Sequence, residues 1–155
     1  MDELMKSSVP KINPMALNNA NLAFLPPNVV KPNYDRKDLT PGIVHIGVGN
    51  FHRAHLSWYL HSLMQQGFAL DWAIIGAGVR KQDIVMRDIL LSQDCLTTLI
   101  ELDPMGRKSI EVTGAMIDFL PIEDGNSSLI NMMAEPMIKL VSMTITEGGY
   151  YLNQN

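Results

Sequence analysis

Between Gly42 and Leu56 the chain reads GIVHIGVGNFHRAHL: an apolar run, a Gly-x-Gly turn, then Asn50, Phe51, His52, Arg53 and His55. Three chemistries are open to such a cluster. A glycine turn between a strand and a helix can cradle phosphate: the first glycine permits the tight turn and the second lets backbone approach a pyrophosphate. The amides of the following helix start then face the anion. Gly47 and Gly49 hold those two places. The third place of the usual G-x-G-x-x-G pattern falls on His52, which is not small. His52 and His55 are spaced H-x-x-H and can share a helix face. No cysteine or third histidine accompanies them, so a zinc site lacks ligands and no metal is expected. Hydrogen bonding by these histidines at the helix start, in a plain structural corner, is the third reading.

A dinucleotide fold also places an acid near the end of its second strand, where it meets the adenosine ribose hydroxyls. After AIIGAGV no acid follows directly; Asp83 comes four residues later, in VRKQD. As a helix N-cap it has an ordinary structural explanation.

The elements that must hold these residues are legible from period. IVHIGVG is a β-branched run bounded by turn signals, expected as a buried strand. Leu56, Tyr59, Leu60, Leu63 and Met64 then repeat as one apolar helical face, and Gly67 stops it. DWAIIGAGV reads as a second buried strand, which completes a right-handed βαβ unit. Asp83 opens a third element with Met86, Ile89 and Leu90 as its stripe. CLTTLIEL and SIEVTGAMI flank the turn DPMGRK and read as an antiparallel hairpin. EDGNSSLINMMAEP predicts a helix ending at Pro136, and IKLVSMTIT another buried strand. Met132, Met133 and Met137 are expected as core-filling side chains.

Residues 1–41 carry Pro10, Pro14, Pro26, Pro27, Pro32 and Pro41 and read as an extended arm with one short helix. Residues 42–155 form the compact domain. Its fold class is α/β, a Rossmann-like parallel sheet with an inserted hairpin.

Composition narrows the partners. The 155 residues are 46% hydrophobic and 18% charged, as in a globular chain. The net charge of −4 and the lack of a basic cluster argue against nucleic acid. No apolar run is long enough to span a bilayer. The N-terminus MDELMKSSVP has no apolar core of a secretory signal. The single cysteine, Cys95, permits no internal disulfide. A cytoplasmic location is the expectation.

Taken together, IVHIGVGNFHRAH, GAGVRKQD and SMTITEGGYY resemble the mannitol dehydrogenase family, the long-chain polyol dehydrogenases, over roughly residues 20–152. The resemblance implies a Rossmann-like fold and NAD as cofactor. It implies cofactor contacts at Ile46, Gly47, Val48, Gly49, Asn50, Phe51, His52, Arg53 and Ala54, with Asp83 on the ribose. Thr146 would lie beside the nicotinamide, and Glu147 would relay protons to a catalytic lysine. The implied reaction moves a hydride between mannitol and NAD to give fructose. Reductases of fructuronate or tagaturonate, and mannitol-1-phosphate dehydrogenases, share the family pattern and stay open as alternatives. So does a non-catalytic nucleotide-binding remnant. The implied substrate is a small polyol or sugar acid. Family chains are longer and carry the catalytic Lys, Asn and His in a later, helical half. The chain is therefore expected to be an incomplete front piece that does not turn over substrate alone and self-associates through an exposed sheet edge.

Overall fold

A computed structural model describes residues 15–145. Its chain order is β1 (Val29–Val30), β2 (Pro41–Ile46), α1 (Asn50–Ala54), α2 (Leu56–Met64), β3 (Ala73–Ala77), α3 (Asp83–Ser92), β4 (Thr97–Leu102), β5 (Lys108–Thr113), β6 (Met116–Phe119), α4 (Ser127–Met133) and β7 (Leu140–Met143). Short 3-10 turns at Asn19–Phe24 and Arg36–Asp38 precede the first long strand.

Four strands form one parallel sheet in the order β6-β3-β2-β7. The apolar runs form strands because both faces are covered. Ile43 and Ile74 pack with Leu60 and Met64 of α2 and Leu90 of α3. Val44, Ile75 and Ala77 pack on the other face with Leu129 of α4. Burying each such aliphatic side chain contributes about 1.5–3 kcal/mol. The sheet is thus doubly wound, and the chain direction across it reverses between β2 and β7. Ligands of open α/β sheets bind outside the carboxyl ends of strands at that reversal.

The hairpin β4–β5 is inserted between α3 and β6, and β1 joins it in parallel to make a second, three-stranded sheet. Arg36 is one anchor of the segment before β2. Arg36 donates to the carbonyls of Gly114 (3.0 Å), Asp94 (2.7 Å) and Met116 (2.8 Å) and to Asn19 Oδ1 (2.6 Å). Leu39 is buried in the core beside it.

Four sequence expectations need correction. The helical face of α2 is rotated: Ser57, Leu60, His61 and Met64 are buried, while Tyr59 and Leu63 are exposed. His61 takes a core position that its polarity conceals in the sequence. It accepts from or donates to Tyr34 Oη at 2.7 Å, lies 3.3 Å from Glu111 Oε1, and so ties α2 to the arm and to β5. SIEVTGAMI is two strands in different sheets, broken at Gly114, where a Cβ would stand 3.0 Å from Arg36 Cδ. The strand β7 is an edge strand among the described residues, with Leu140, Val141 and Met143 exposed rather than buried. Met132 and Met133 pack on the core as expected, but Met137 is exposed.

Candidate functional site

The turn after β2 follows from its glycines. Gly47 has φ +89°, and a Cβ there would stand 3.1 Å from the Thr144 carbonyl oxygen. Its amide donates to the Ala77 carbonyl at 2.9 Å, so the turn is tied to the end of β3. Gly49 donates to the Gly47 carbonyl at 2.9 Å and caps α1. Nothing lies within 4 Å of where a Gly49 Cβ would be, so its backbone faces open space. The first bond of α1 runs from the Arg53 amide to the Gly49 carbonyl. The amides of Asn50, Phe51 and His52 precede it, with no carbonyl one turn earlier to receive them.

A cleft of about 230 Å³ joins this turn to the loop after β3. Gly47, Val48 and Gly49 line one side and Arg80, Gln82 and Asp83 the other, with Met86, Phe119 and Thr144 between. It lies at the carboxyl ends of β2, β3 and β7, where the sheet reverses. Asp83 is not the N-cap of α3; Gln82 is, and Asp83 is the first helical residue. Its carboxylate turns back instead. Oδ2 accepts from the amides of Val79 (3.2 Å) and Arg80 (3.1 Å), and Oδ1 lies 3.3 Å from Arg80 Nη2. Gly78 makes room for this fold-back, since a Cβ there would stand 2.6 Å from Asp83 Cβ.

The remaining sequence-picked residues divide. Ile46 ends β2, in register with Met143 of β7. Asn50, Arg53 and Ala54 line a neighbouring cleft of about 190 Å³ against Thr97, Thr98 and Leu99 of the hairpin. There Arg53 donates to Asn50 Oδ1 and points Nη1 at Met86 Sδ, 2.7 Å away. Phe51 points outward and stacks on His55, ring centroids 4.6 Å apart. Thr146 and Glu147 lie outside the described residues.

His52 does not hydrogen-bond at the helix start. It is buried and stacks on His45 at 3.8 Å, and neither ring nitrogen has a partner. Burial, with help from nearby His45 and Arg53, pushes its pKa down to about 3. His52 therefore acts as an apolar aromatic plate where the common pattern has glycine. Among the described residues no group of three or more His, Cys, Asp or Glu could hold a metal.

His45 carries no motif that marks it in the sequence. Its Nδ1 bonds Ser142 Oγ at 2.9 Å and its Nε2 bonds Thr144 Oγ1 at 3.1 Å. A neutral imidazole donates through one nitrogen and accepts through the other, and two hydroxyls, each able to donate or accept, satisfy both roles in either tautomer. The pair binds β2 to β7 directly under the turn. Its one sequence signal is the period-two spacing of Ser142 and Thr144, which puts both on the face that His45 shares.

Comparison with known proteins follows this geometry. A family model, the mannitol dehydrogenase Rossmann domain, matches residues 41–154. The mannitol 2-dehydrogenase of Cereibacter sphaeroides is 58% identical over 126 residues, 81% of this chain and 26% of the relative. A polyol:NADP oxidoreductase of Gluconobacter oxydans is 40% identical over 89% of this chain and 28% of its own length. Among solved structures, the Pseudomonas fluorescens mannitol 2-dehydrogenase ternary complex with NAD and D-mannitol superposes with a TM-score of 0.83 at 48% identity. That match covers 88% of this chain and 28% of the solved one. The chain thus spans about a quarter of the length of the curated relatives it matches.

Proposed function

Because the chain belongs to the mannitol dehydrogenase family as its Rossmann domain, we propose that it binds NAD and forms the nucleotide half of a polyol dehydrogenase converting mannitol to fructose. The observation that carries this reading is the cleft that unites the Gly47–Gly49 turn with Asp83 at the sheet reversal. The residues fit a dinucleotide. Gly49 leaves its backbone open to a close-approaching pyrophosphate, and the first turn of α1 adds amides with no intrahelical partner. The Asp83 carboxylate is held at the far wall, where it can accept from ribose hydroxyls.

When bound, the nicotinamide supplies the hydride chemistry. The chain's own residues orient it. Gly47, Val48 and Gly49 form the wall under the pyrophosphate, within the proposed cofactor segment Ile46–Ala54, and Thr146 is assigned to the nicotinamide by this reading. His45 holds Ser142 and Thr144 and so fixes the end of β7, with Thr144 two residues before Thr146 in the chain. Glu147 passes the proton of the substrate hydroxyl between a lysine base and water. That base is not on the cleft: no lysine lines it among the described residues. Lys139 immediately precedes β7, paired with Asp71 and over the Trp72 ring at 4.7 Å. A general base must come within about 3 Å of the proton it removes.

Two titrations test the reading. The full-length protein carrying this chain is expected to bind NAD and to form NADH from mannitol. The 155-residue chain by itself is expected to bind NAD more weakly and to form no NADH. Absence of NAD binding by the full-length protein would refute the proposal.

A further inference from the structure

The loop Val79–Gln82 carries two cations, Arg80 and Lys81, and Asp83 opens α3 directly after it; the three are unequally arranged about the ribose side of the cleft. Asp83 is only 20% exposed at its side chain, and Oδ2 is already engaged by the amides of Val79 and Arg80. What it offers outward is Oδ1, and the Arg80 guanidinium stands on that oxygen at 3.3 Å. The Arg80 side chain is 66% exposed, lines the same cleft, and among the described residues has no bond other than this one. Lys81 faces a different hollow, lined by Ile84, Ile122, Glu123 and Asp124. One cation is therefore aimed at the ribose edge and the other away from it.

A ribose hydroxyl that bonds Asp83 must share or take Oδ1, which frees the guanidinium at the place where a 2′ substituent projects. A 2′-phosphate there carries close to two negative charges at pH 7. Asp83 repels it, while a planar guanidinium can grip two of its oxygens at once. Building on the dinucleotide reading above, we infer that Arg80 is a second specificity residue of this loop. Its guanidinium, exchanging from Asp83 Oδ1 to a 2′-phosphate, gives the site an affinity for NADP that Asp83 alone would deny it. Asp83 sets the preference for NAD, and Arg80 sets how steep that preference is. A loop with the acid and no such arginine excludes the phosphate more completely.

The test is a calorimetric titration of the full-length protein with NAD and with NADP, needing no turnover. In Arg80→Ala, the Kd for NADP is expected to rise at least fivefold while that for NAD stays within twofold. In Asp83→Asn, NADP binding is expected to tighten about tenfold, and adding Arg80→Ala is expected to cancel most of that gain. Lys81→Ala controls for general loop charge and is expected to change NADP binding less than Arg80→Ala does. An NADP affinity that is unaffected by residue 80 in both backgrounds, or equally affected by Lys81→Ala, would overturn the inference while leaving the cofactor reading intact. If the unmodified protein binds neither nucleotide, the cofactor reading falls, and this inference with it.

Discussion

Gly47 and Gly49 stand two residues apart and are glycine for different reasons. Gly47 needs its positive φ and its closeness to the Thr144 carbonyl whether or not a ligand is present. Gly49 has an ordinary φ of −98° and empty space above it, so the fold itself tolerates a side chain there. Gly47→Ala is therefore expected to lower stability by about 1–3 kcal/mol, the scale of a non-glycine residue held at positive φ. Gly49→Ala is expected to unfold at nearly the same denaturant midpoint as the unmodified chain but to bind NAD at least tenfold more weakly. Chemical denaturation and a nucleotide titration separate the two. A Gly49→Ala protein with unchanged NAD affinity would show that no pyrophosphate approaches this backbone. Sequence supplied both glycines and Asp83 but not their bonds. An acid three or four residues past a turn reads equally well as a cap or a ligand, and only its fold-back onto Val79 and Arg80 excludes the cap.

At the scale of elements, strands and helices are legible where apolar residues and burial coincide, and misread where polarity and burial part company. The α2 stripe departs from its apolar spacing because His61 and Ser57 take core positions; His61 Nδ1 bonds Tyr34, and its Nε2 lies 3.3 Å from Glu111 Oε1. The reverse error is β7, whose apolar run suggested burial. Among the described residues it pairs with β2 alone and leaves Val141, Met143 and the following Ile145 exposed on one face. A flat apolar edge with open backbone groups is a template for a further strand. The 155-residue chain is accordingly expected to self-associate at micromolar concentration, with Val141→Lys shifting it toward monomer. Sedimentation velocity over a concentration series checks this, and a monomer at every concentration would count against an open edge.

At the scale of the whole molecule, the doubly wound order β6-β3-β2-β7 puts one buried histidine pair beneath its ligand cleft and a third histidine beneath its hairpin. Periodicity reached the parallel sheet and the inserted hairpin, since both follow from apolar runs and turn residues. It could not reach the stack of His45 on His52, because nothing local says that a histidine beside a glycine turn lies inside rather than on a ligand. The stack has a global consequence. Burial holds all three imidazoles below their usual pKa, with the Glu111 carboxylate partly opposing it at His61, and drives His52 furthest, to about 3. In the unfolded chain a histidine protonates near pH 6.5. Below that pH the unfolded state binds protons that folded His52 refuses, so stability present above pH 6.5 drains away as pH falls toward 3. Each fully mismatched site contributes a slope of about 1.4 kcal/mol per pH unit. His52→Phe keeps an aromatic plate against His45 and forfeits no hydrogen bond, because His52 makes none. Urea unfolding between pH 7 and pH 4.5 is therefore expected to show a shallower loss of stability in His52→Phe than in the unmodified chain, by about one proton's worth of slope near pH 5. Parallel curves for the two proteins would mean that His52 finds a proton acceptor or water inside the fold, and that the plate beneath the turn is charged in acid.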